Sequence, residues 1–294
     1  MNLHGVFPPV PTPFDPVTGN VKLPALSDNI GRLLRAPVAG VLVLGSNGEA
    51  GLLDEGEADD VVLAARAVVP AGRTLLVGAG RESTRATIAA CARAATNGAD
   101  SVLVRAPSFF KAQMTHDALV AHYRAVADAS PVPVMLYNVP GMAGFSLTVP
   151  MVRALAAHPN VIGIKETSND LERLGQCAAI AGTGFDVLVG WAPVAHAAAV
   201  AGARGAIIAV ANVLPDVCAQ LWGYAIEGRH AEALGLQRRI TTLAQLVSSV
   251  HGVAGLKCAL DLAGAYGGPV RAPLLPVSAT VADDIRSALA QWQS

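Results

Sequence analysis

The chain has 294 residues, of which 52% are hydrophobic and 15% are charged, and its formal net charge is -1. This composition can fill one large core. Acidic and basic residues are interspersed, which excludes the basic stripe of a nucleic-acid-binding surface. Mean hydropathy is +0.45, but no uncharged apolar stretch reaches the roughly 18 residues that a membrane span needs. We therefore predict a soluble protein without a nucleic-acid or membrane partner.

Cysteine and histidine spacing argues against a disulfide framework and against a metal centre. The four cysteines, Cys91, Cys177, Cys218 and Cys258, show neither C-x-x-C nor zinc spacing. The seven histidines form no metal-binding motif. The first residues lack the basic segment and apolar core of a signal peptide. These observations predict reduced cysteines in a cytoplasmic protein that needs neither metal nor other cofactor.

Short apolar runs recur along the chain, about one strand-plus-helix unit apart. They are 6–11, 40–44, 74–78, 101–104, 132–137, 161–165, 186–189 and 206–210. The runs are continuously apolar, as expected for parallel strands that are buried on both faces. Between them lie alanine-rich segments with helix-start signals, Ser83 before one and Thr115 before another.

Eight such runs favour a TIM (β/α)8 barrel, in which catalytic groups lie at the C-terminal ends of the strands. A doubly wound open sheet is the main alternative, but no G-x-G-x-x-G follows the first run. The strand pattern stops near residue 225. We therefore predict a barrel over 1–225 that carries the active site. Residues 226–294 form a C-terminal helical segment packed on it, interrupted at Gly267-Gly268-Pro269.

Lys165 is the lysine that closes a predicted buried strand, among four lysines in the chain. Apolar surroundings disfavour the charged ammonium, and a neutral amine is the form that attacks a ketone to give an imine. The alternative is a strand-end lysine that reaches solvent or pairs with Glu166.

Tyr137 closes the preceding strand, so its phenol is expected beside the Lys165 amine. The alternative is a tyrosine whose hydroxyl only meets water. After the second strand comes the turn Gly45-Ser46-Asn47-Gly48-Glu49. Its glycines allow backbone N–H groups to converge on a carboxylate or phosphate, although an ordinary capped turn would look the same.

These three features describe one chemistry. The turn holds a 2-oxo acid by its carboxylate, the lysine condenses with its ketone, and the phenol moves protons. The iminium withdraws electrons from the bond beta to the former carbonyl, so that bond can break or form. The sequence therefore predicts a class I (Schiff-base) aldolase.

The chain also resembles the dihydrodipicolinate synthase and N-acetylneuraminate lyase superfamily, most closely the 4-hydroxy-2-oxoglutarate aldolases. The resemblance covers essentially the whole chain and is carried by short segments in a characteristic order: 5–9, 12–14, 45–49, 137–140, 164–166, 211–213 and 266–273. It implies a (β/α)8 barrel with C-terminal helices, assembled as a homotetramer.

The resemblance also implies roles for individual residues. Lys165 matches the Schiff-base lysine and Tyr137 the general acid/base. Ser46 and Asn47, with Gly45, match the carboxylate-binding turn, in which the serine hydroxyl joins the proton relay. Three further residues match substrate-binding positions of the family. They are Thr167 through its hydroxyl, Gly190, and Ile207 through its backbone.

Two departures from the family pattern concern the second substrate. Phe109 and Phe110 stand where many members carry a tyrosine pair, so a relay through a neighbouring subunit's tyrosine cannot operate. Met142 replaces the arginine with which the synthases of lysine biosynthesis hold the carboxylate of aspartate semialdehyde.

These departures leave three hypotheses. We favour reversible cleavage of 4-hydroxy-2-oxoglutarate to pyruvate and glyoxylate. A 2-keto-3-deoxy sugar acid aldolase or dehydratase is the alternative within the superfamily, and a non-catalytic 2-oxo acid binding protein is the alternative of another class.

Overall fold

The computed structural model describes residues 3–180 and 184–292. Its eight strands are β1 (Gly5–Val6), β2 (Gly40–Val43), β3 (Thr74–Gly78), β4 (Ser101–Arg105), β5 (Val134–Asn138), β6 (Val161–Glu166), β7 (Asp186–Val189) and β8 (Gly205–Ala206). Its helices are α1 (Leu23–Leu34), α2 (Glu55–Val68), α3 (Thr84–Thr96), α4 (His116–Ala129), α5 (Pro140–Ala143), α6 (Val149–Ala156), α7 (Leu171–Ala178), α8 (Ala195–Val200), α9 (Pro215–Ile226), α10 (His230–Gln245), α11 (Gly252–Leu262) and α12 (Ala279–Ala290).

Each predicted apolar run overlaps one strand, and the strands form a nearly closed parallel barrel. The hydrogen-bonded order is β1-β8-β7-β6-β5-β4-β3-β2. Between β2 and the segment after β1, the Leu42 amide donates to Pro8 O at 3.0 Å and the Val10 amide to Leu42 O at 2.8 Å. The predicted TIM barrel is therefore confirmed, and the open-sheet alternative is wrong.

The first and last strands are shorter than the runs that predicted them. The first run contains Pro8, Pro9 and Pro11, which have no N–H for a regular ladder. After β8 the Ile207 amide still donates to Val189 O at 2.8 Å, but residues 209–212 turn into a short 3₁₀ helix. Buried Asn212 ties that helix to Pro9 O at 2.9 Å.

Side chains inside the barrel form a layer separate from those that face the helices. The inner layer consists of Leu3, Phe7, Leu42, Leu76, Leu103, Met135, Tyr137, Val139, Leu188 and Ile207. It closes the barrel interior below the C-terminal ends of the strands, where the predicted site residues lie. The larger outer layer packs the strands against the helices.

The helices begin where the sequence signals them. Ser83 caps α3 by accepting from the Ala86 amide, and Thr115 caps α4 by accepting from the Ala118 amide. The segment Gly267–Pro269 lies between α11 and α12. The cysteines are free, three of them buried and Cys258 partly buried. Within residues 3–180 and 184–292, no helix combines the length and apolar character needed to cross a membrane.

Candidate active site

Lys165 lies near the C-terminal end of β6, in register with Tyr137 on β5 and Leu188 on β7. Its side chain points into the barrel and the residue is only 5% exposed. Across the described part of the chain, no carboxylate forms an ion pair with its amine. The amine is therefore held in an enclosed position without a carboxylate partner, where it can act as a nucleophile toward a ketone.

Glu166 does not pair with Lys165, because its fully buried carboxylate is bound by other groups. Asn138 Nδ2 donates to its two oxygens at 2.7 and 3.0 Å, and Arg173 Nε donates at 2.8 Å. The Ser168 amide adds a further bond at 2.8 Å. These contacts fix the backbone next to Lys165 and leave the lysine amine free for chemistry.

Tyr137 connects the lysine to the turn after β2. The Lys165 Nζ lies 4.4 Å from the centroid of the Tyr137 ring, over its face. The Tyr137 hydroxyl lies 3.3 Å from Ser46 Oγ, and either oxygen can be the donor. Amine, phenol and hydroxyl thus form one group in which a proton can pass between the two oxygens beside the amine.

The turn that carries Ser46 has an unusual backbone. Residues 46–48 form a single 3₁₀ turn, and neither Ser46 nor Asn47 caps it with a side chain. Among the described residues, no acceptor contacts the N–H groups of Ser46 and Asn47. Leu44 and Glu49 flank the turn with φ of 54° and 53°. Such left-handed conformations are costly for side-chain-bearing residues and are typical of functional sites.

Glu49 anchors this turn through a buried ion pair with the C-terminal part of the chain. Its carboxylate lies 2.5 Å from Lys257 Nζ on α11, and both side chains are at most 2% exposed. It also accepts from the Arg271 amide at 2.8 Å. Lys257 Nζ donates to Pro269 O at 2.8 Å and lies over the Phe14 ring. Burial lowers the pKa of Lys257, whereas the Glu49 carboxylate acts in the opposite direction.

A cavity of about 360 Å³ opens beside the Ser46–Tyr137 pair. Its wall includes Gly45, Ser46, Tyr137, Met142, Arg81 and Arg105. The cavity lies on the Ser46 side of Tyr137, and Lys165 is outside its lining, behind the phenol ring.

The remaining predicted binding residues also lie outside the cavity lining. Asn47 is half-buried in the 3₁₀ turn. Thr167 donates its hydroxyl to Asn138 O at 2.6 Å. Gly190 lies against the lysine, since a Cβ there would come 3.0 Å from Lys165 Cε and 2.2 Å from Thr167 Cγ2. Ile207 is buried beside Tyr137 in the inner layer.

The residues that depart from the family pattern are exposed near the edge of the cavity, here called its rim, because Phe109 and Phe110 directly follow Ser108 of the lining. Phe109 and Phe110 are 79% and 65% exposed and pack edge to face with their ring centroids 5.0 Å apart. Met142 is 66% exposed and lines the cavity. The rim thus presents apolar side chains where relatives were expected to carry a phenol and a guanidinium.

Sequence reasoning missed the structural roles of four charged residues around this site: Glu49, Lys257, Arg81 and Arg105. A signal existed for Lys257, which lies among the apolar residues of 255–260 and is fully buried. Arg105 had a weaker signal, because it directly follows the fourth apolar run and so ends a strand.

Comparison with known proteins agrees with this geometry. The profile of the Dihydrodipicolinate synthetase family matches residues 2–292. A 4-hydroxy-tetrahydrodipicolinate synthase of Xanthomonas campestris pv. campestris is 37% identical over 95% of this chain and 91% of its own length. A probable mitochondrial 4-hydroxy-2-oxoglutarate aldolase of Emericella nidulans is 37% identical over 88% of this chain and 85% of its own length.

Two further proteins extend the comparison. An L-threo-3-deoxy-hexylosonate aldolase of Hypocrea jecorina is 33% identical, covering 92% of this chain and 90% of its own length. A solved structure of a prophage protein of the dihydrodipicolinic acid synthase family from E. coli K12, in complex with pyruvate, superposes with a TM-score of 0.91 at 30% identity, covering 99% and 98% of the two chains. The chain therefore belongs to the dihydrodipicolinate synthetase family, whose members are pyruvate-dependent lyases.

Proposed function

We propose that this aldolase works through an imine between pyruvate and Lys165 and that it cleaves or forms a 4-hydroxy-2-oxo acid. The observation that carries the proposal is the juxtaposition of a buried lysine amine, without a carboxylate partner among the described residues, with the Tyr137–Ser46 pair. The free N–H groups of Ser46 and Asn47 supply the site for the substrate carboxylate.

In the cleavage direction, the Lys165 amine adds to the C2 carbonyl and water leaves, giving an iminium. Tyr137 as base takes the proton of the 4-hydroxyl. The C3–C4 electron pair then moves into the iminium, so an aldehyde leaves and an enamine remains. Protonation at C3 and hydrolysis release pyruvate and the free lysine. Ser46 supports the phenol by exchanging a proton with it.

The favoured substrate is 4-hydroxy-2-oxoglutarate, which would give pyruvate and glyoxylate. The relative from Emericella nidulans is named for that substrate and supports the assignment. A 2-keto-3-deoxy sugar acid is the second candidate, supported by the relative from Hypocrea jecorina. Pyruvate release separates aldol cleavage from dehydration, in which water is lost and the carbon chain stays intact.

The test of the proposal is borohydride reduction in the presence of pyruvate, followed by mass mapping of the peptides. We expect a reduced pyruvyl adduct on the peptide that contains Lys165. An active protein that forms no adduct, or one labelled on Lys257, would show that the imine assignment is wrong.

We expect Tyr137→Phe to lower kcat by about 10²- to 10⁴-fold, because the variant loses its proton carrier. The imine should still form slowly, since the amine is intact. Ser46→Ala removes one hydroxyl contact worth about 1 kcal/mol, which corresponds to roughly a fivefold loss. Steady-state kinetics and borohydride trapping measure both effects. A Tyr137→Phe variant as active as the wild type would remove the phenol from the mechanism.

We also propose that the chain assembles as a homotetramer. The exposed aromatic pair Phe109–Phe110 supports an interface at the rim of the cavity, because two large apolar rings in water are costly unless another surface covers them. Light scattering measures the mass in solution, and a mass of one chain would contradict this proposal.

A further inference from the structure

The cavity beside the catalytic group has a positively charged end. Of the described residues that line it, three are charged: Glu49, Arg81 and Arg105. Glu49 is neutralised by Lys257 at 2.5 Å. The two guanidinium groups are therefore the charges that the cavity offers to a ligand.

Arg105 is held beside the reacting groups by the strand register. It ends β4 and pairs in register with Tyr137 on β5, which in turn pairs with Lys165 on β6. Gly80 makes room for it, because a Cβ at that position would come 2.7 Å from Arg105 Cγ. A substrate bound at Ser46 and Lys165 would thus extend past Tyr137 toward Arg105.

The hydrogen bonds of Arg105 leave part of its guanidinium available. One terminal nitrogen, Nη1, donates to Glu82 Oε1 at 2.7 Å and to Ala106 O at 3.1 Å. Within residues 3–180 and 184–292, no acceptor contacts its Nε or its Nη2. Glu82 also accepts from the Ser108 and Phe109 amides, both at 2.9 Å, so the carboxylate that orients Arg105 is itself fixed.

Arg81 supplies the second positive charge. Its Nε and Nη2 each donate to Glu55 at 3.0 Å, and that carboxylate lies outside the cavity lining. Its Nη1 donates to Gly80 O at 3.3 Å, so all three nitrogens are engaged and Arg81 contributes its charge to the cavity from a fixed position. The cavity lining thus contains both arginines but neither of the carboxylates that pair with them, Glu55 and Glu82.

We propose that Arg105, reinforced by Arg81, binds a carboxylate on the aldehyde half of the substrate. This subsite compensates for Met142, which stands where the synthases were expected to carry an arginine. It selects dicarboxylic 4-hydroxy-2-oxo acids over neutral sugar-derived ones, because only the former bring an anion to this end of the cavity. The inference rests on the proposed function, since the orientation of the substrate follows from the imine at Lys165.

The experiment measures binding of two unreactive five-carbon acids by calorimetry. Glutarate carries two carboxylates at the spacing of 4-hydroxy-2-oxoglutarate, and pentanoate carries one. We expect wild-type protein to bind glutarate at least about tenfold more tightly, as a charge-assisted hydrogen bond predicts. In Arg105→Met the preference should fall to within about twofold. The matched control Arg229→Met removes an exposed arginine that pairs with Glu232, and it should keep the preference.

Equal binding of the two acids by wild-type protein, or an unchanged preference in Arg105→Met, would overturn the subsite. If Arg105→Met does not fold, Arg105→Lys replaces it. In that variant the ratio of glutarate to pentanoate affinity should fall by at least about threefold, because lysine cannot bind a carboxylate in a bidentate manner. The pyruvate-trapping experiment is independent of this one. A pyruvyl adduct without a glutarate preference overturns the subsite alone, whereas a glutarate preference without an adduct overturns the imine assignment and leaves an anion site.

Discussion

Lys165→Ala should reduce kcat by on the order of 10⁴-fold or more, because no neighbouring group can replace a covalent nucleophile. The variant should still fold, since the lost amine has no ion pair among the described residues. Truncation leaves space beside Gly190, where the backbone already lies against the Lys165 side chain. Pyruvate release from 4-hydroxy-2-oxoglutarate measures the loss of turnover. Mass mapping after borohydride treatment with pyruvate measures the loss of the trapped adduct.

Lys111→Ala is the matched control for that experiment. It removes an exposed lysine that belongs neither to the cavity lining nor to the inner layer. We expect its trapped adduct to map to Lys165 as in the wild type. Substantial turnover by Lys165→Ala would mean that the reaction does not pass through an imine at this residue.

Lys257→Met should lower the free energy of unfolding by about 3–5 kcal/mol, the usual effect of leaving one buried charge without its partner. Glu49 would keep its hydrogen bond from the Arg271 amide but lose the ammonium 2.5 Å away. The turn that carries Ser46 and Asn47 would be destabilised as well, because Glu49 fixes its left-handed end. Urea unfolding monitored by circular dichroism measures the first effect, and the rate of imine trapping measures the second.

The double variant Glu49→Gln/Lys257→Met separates charge from packing. Because the double variant has neither charge, it does not bury an unpaired carboxylate. Its free energy of unfolding should therefore recover in part relative to Lys257→Met. Arg286→Ala removes an exposed pair with Asp283 and should change stability by no more than about 1 kcal/mol. If Lys257→Met were no less stable than this control, the buried pair would have no structural role.

The barrel could be predicted from the sequence because each strand can be recognised from its own run of apolar residues. A strand buried on both faces must be continuously apolar, so the runs at 40–44 and 161–165 are visible without any partner. The bounds of β1 and β8 were less predictable. The ends of these two strands depend on the hydrogen-bond acceptors of the neighbouring strands. For example, the Ile207 amide just after β8 still donates to Val189 O.

The proximity of the two proposed catalytic side chains was predictable for a related reason. Lys165 and Tyr137 are polar residues at the ends of apolar runs, and parallel strands bring such ends together. The contact between Glu49 and Lys257 was not predictable, because the two residues are far apart in sequence and meet only after the chain has folded. Arg81 and Arg105 were missed because the sequence does not show which side chains line a cavity.

The buried link from Glu49 to Lys257 and Arg271 has a consequence for the order in which the protein matures during synthesis. All eight strands, together with Ser46, Tyr137 and Lys165, have been translated by residue 206. Lys257 and Arg271, the partners that hold Glu49 and its turn in place, leave the ribosome only with α11 and the segment that follows it. We therefore expect a nascent barrel to contain Ser46, Tyr137 and Lys165 before the anchor of the Ser46 turn is in place, and to gain activity only near the end of translation.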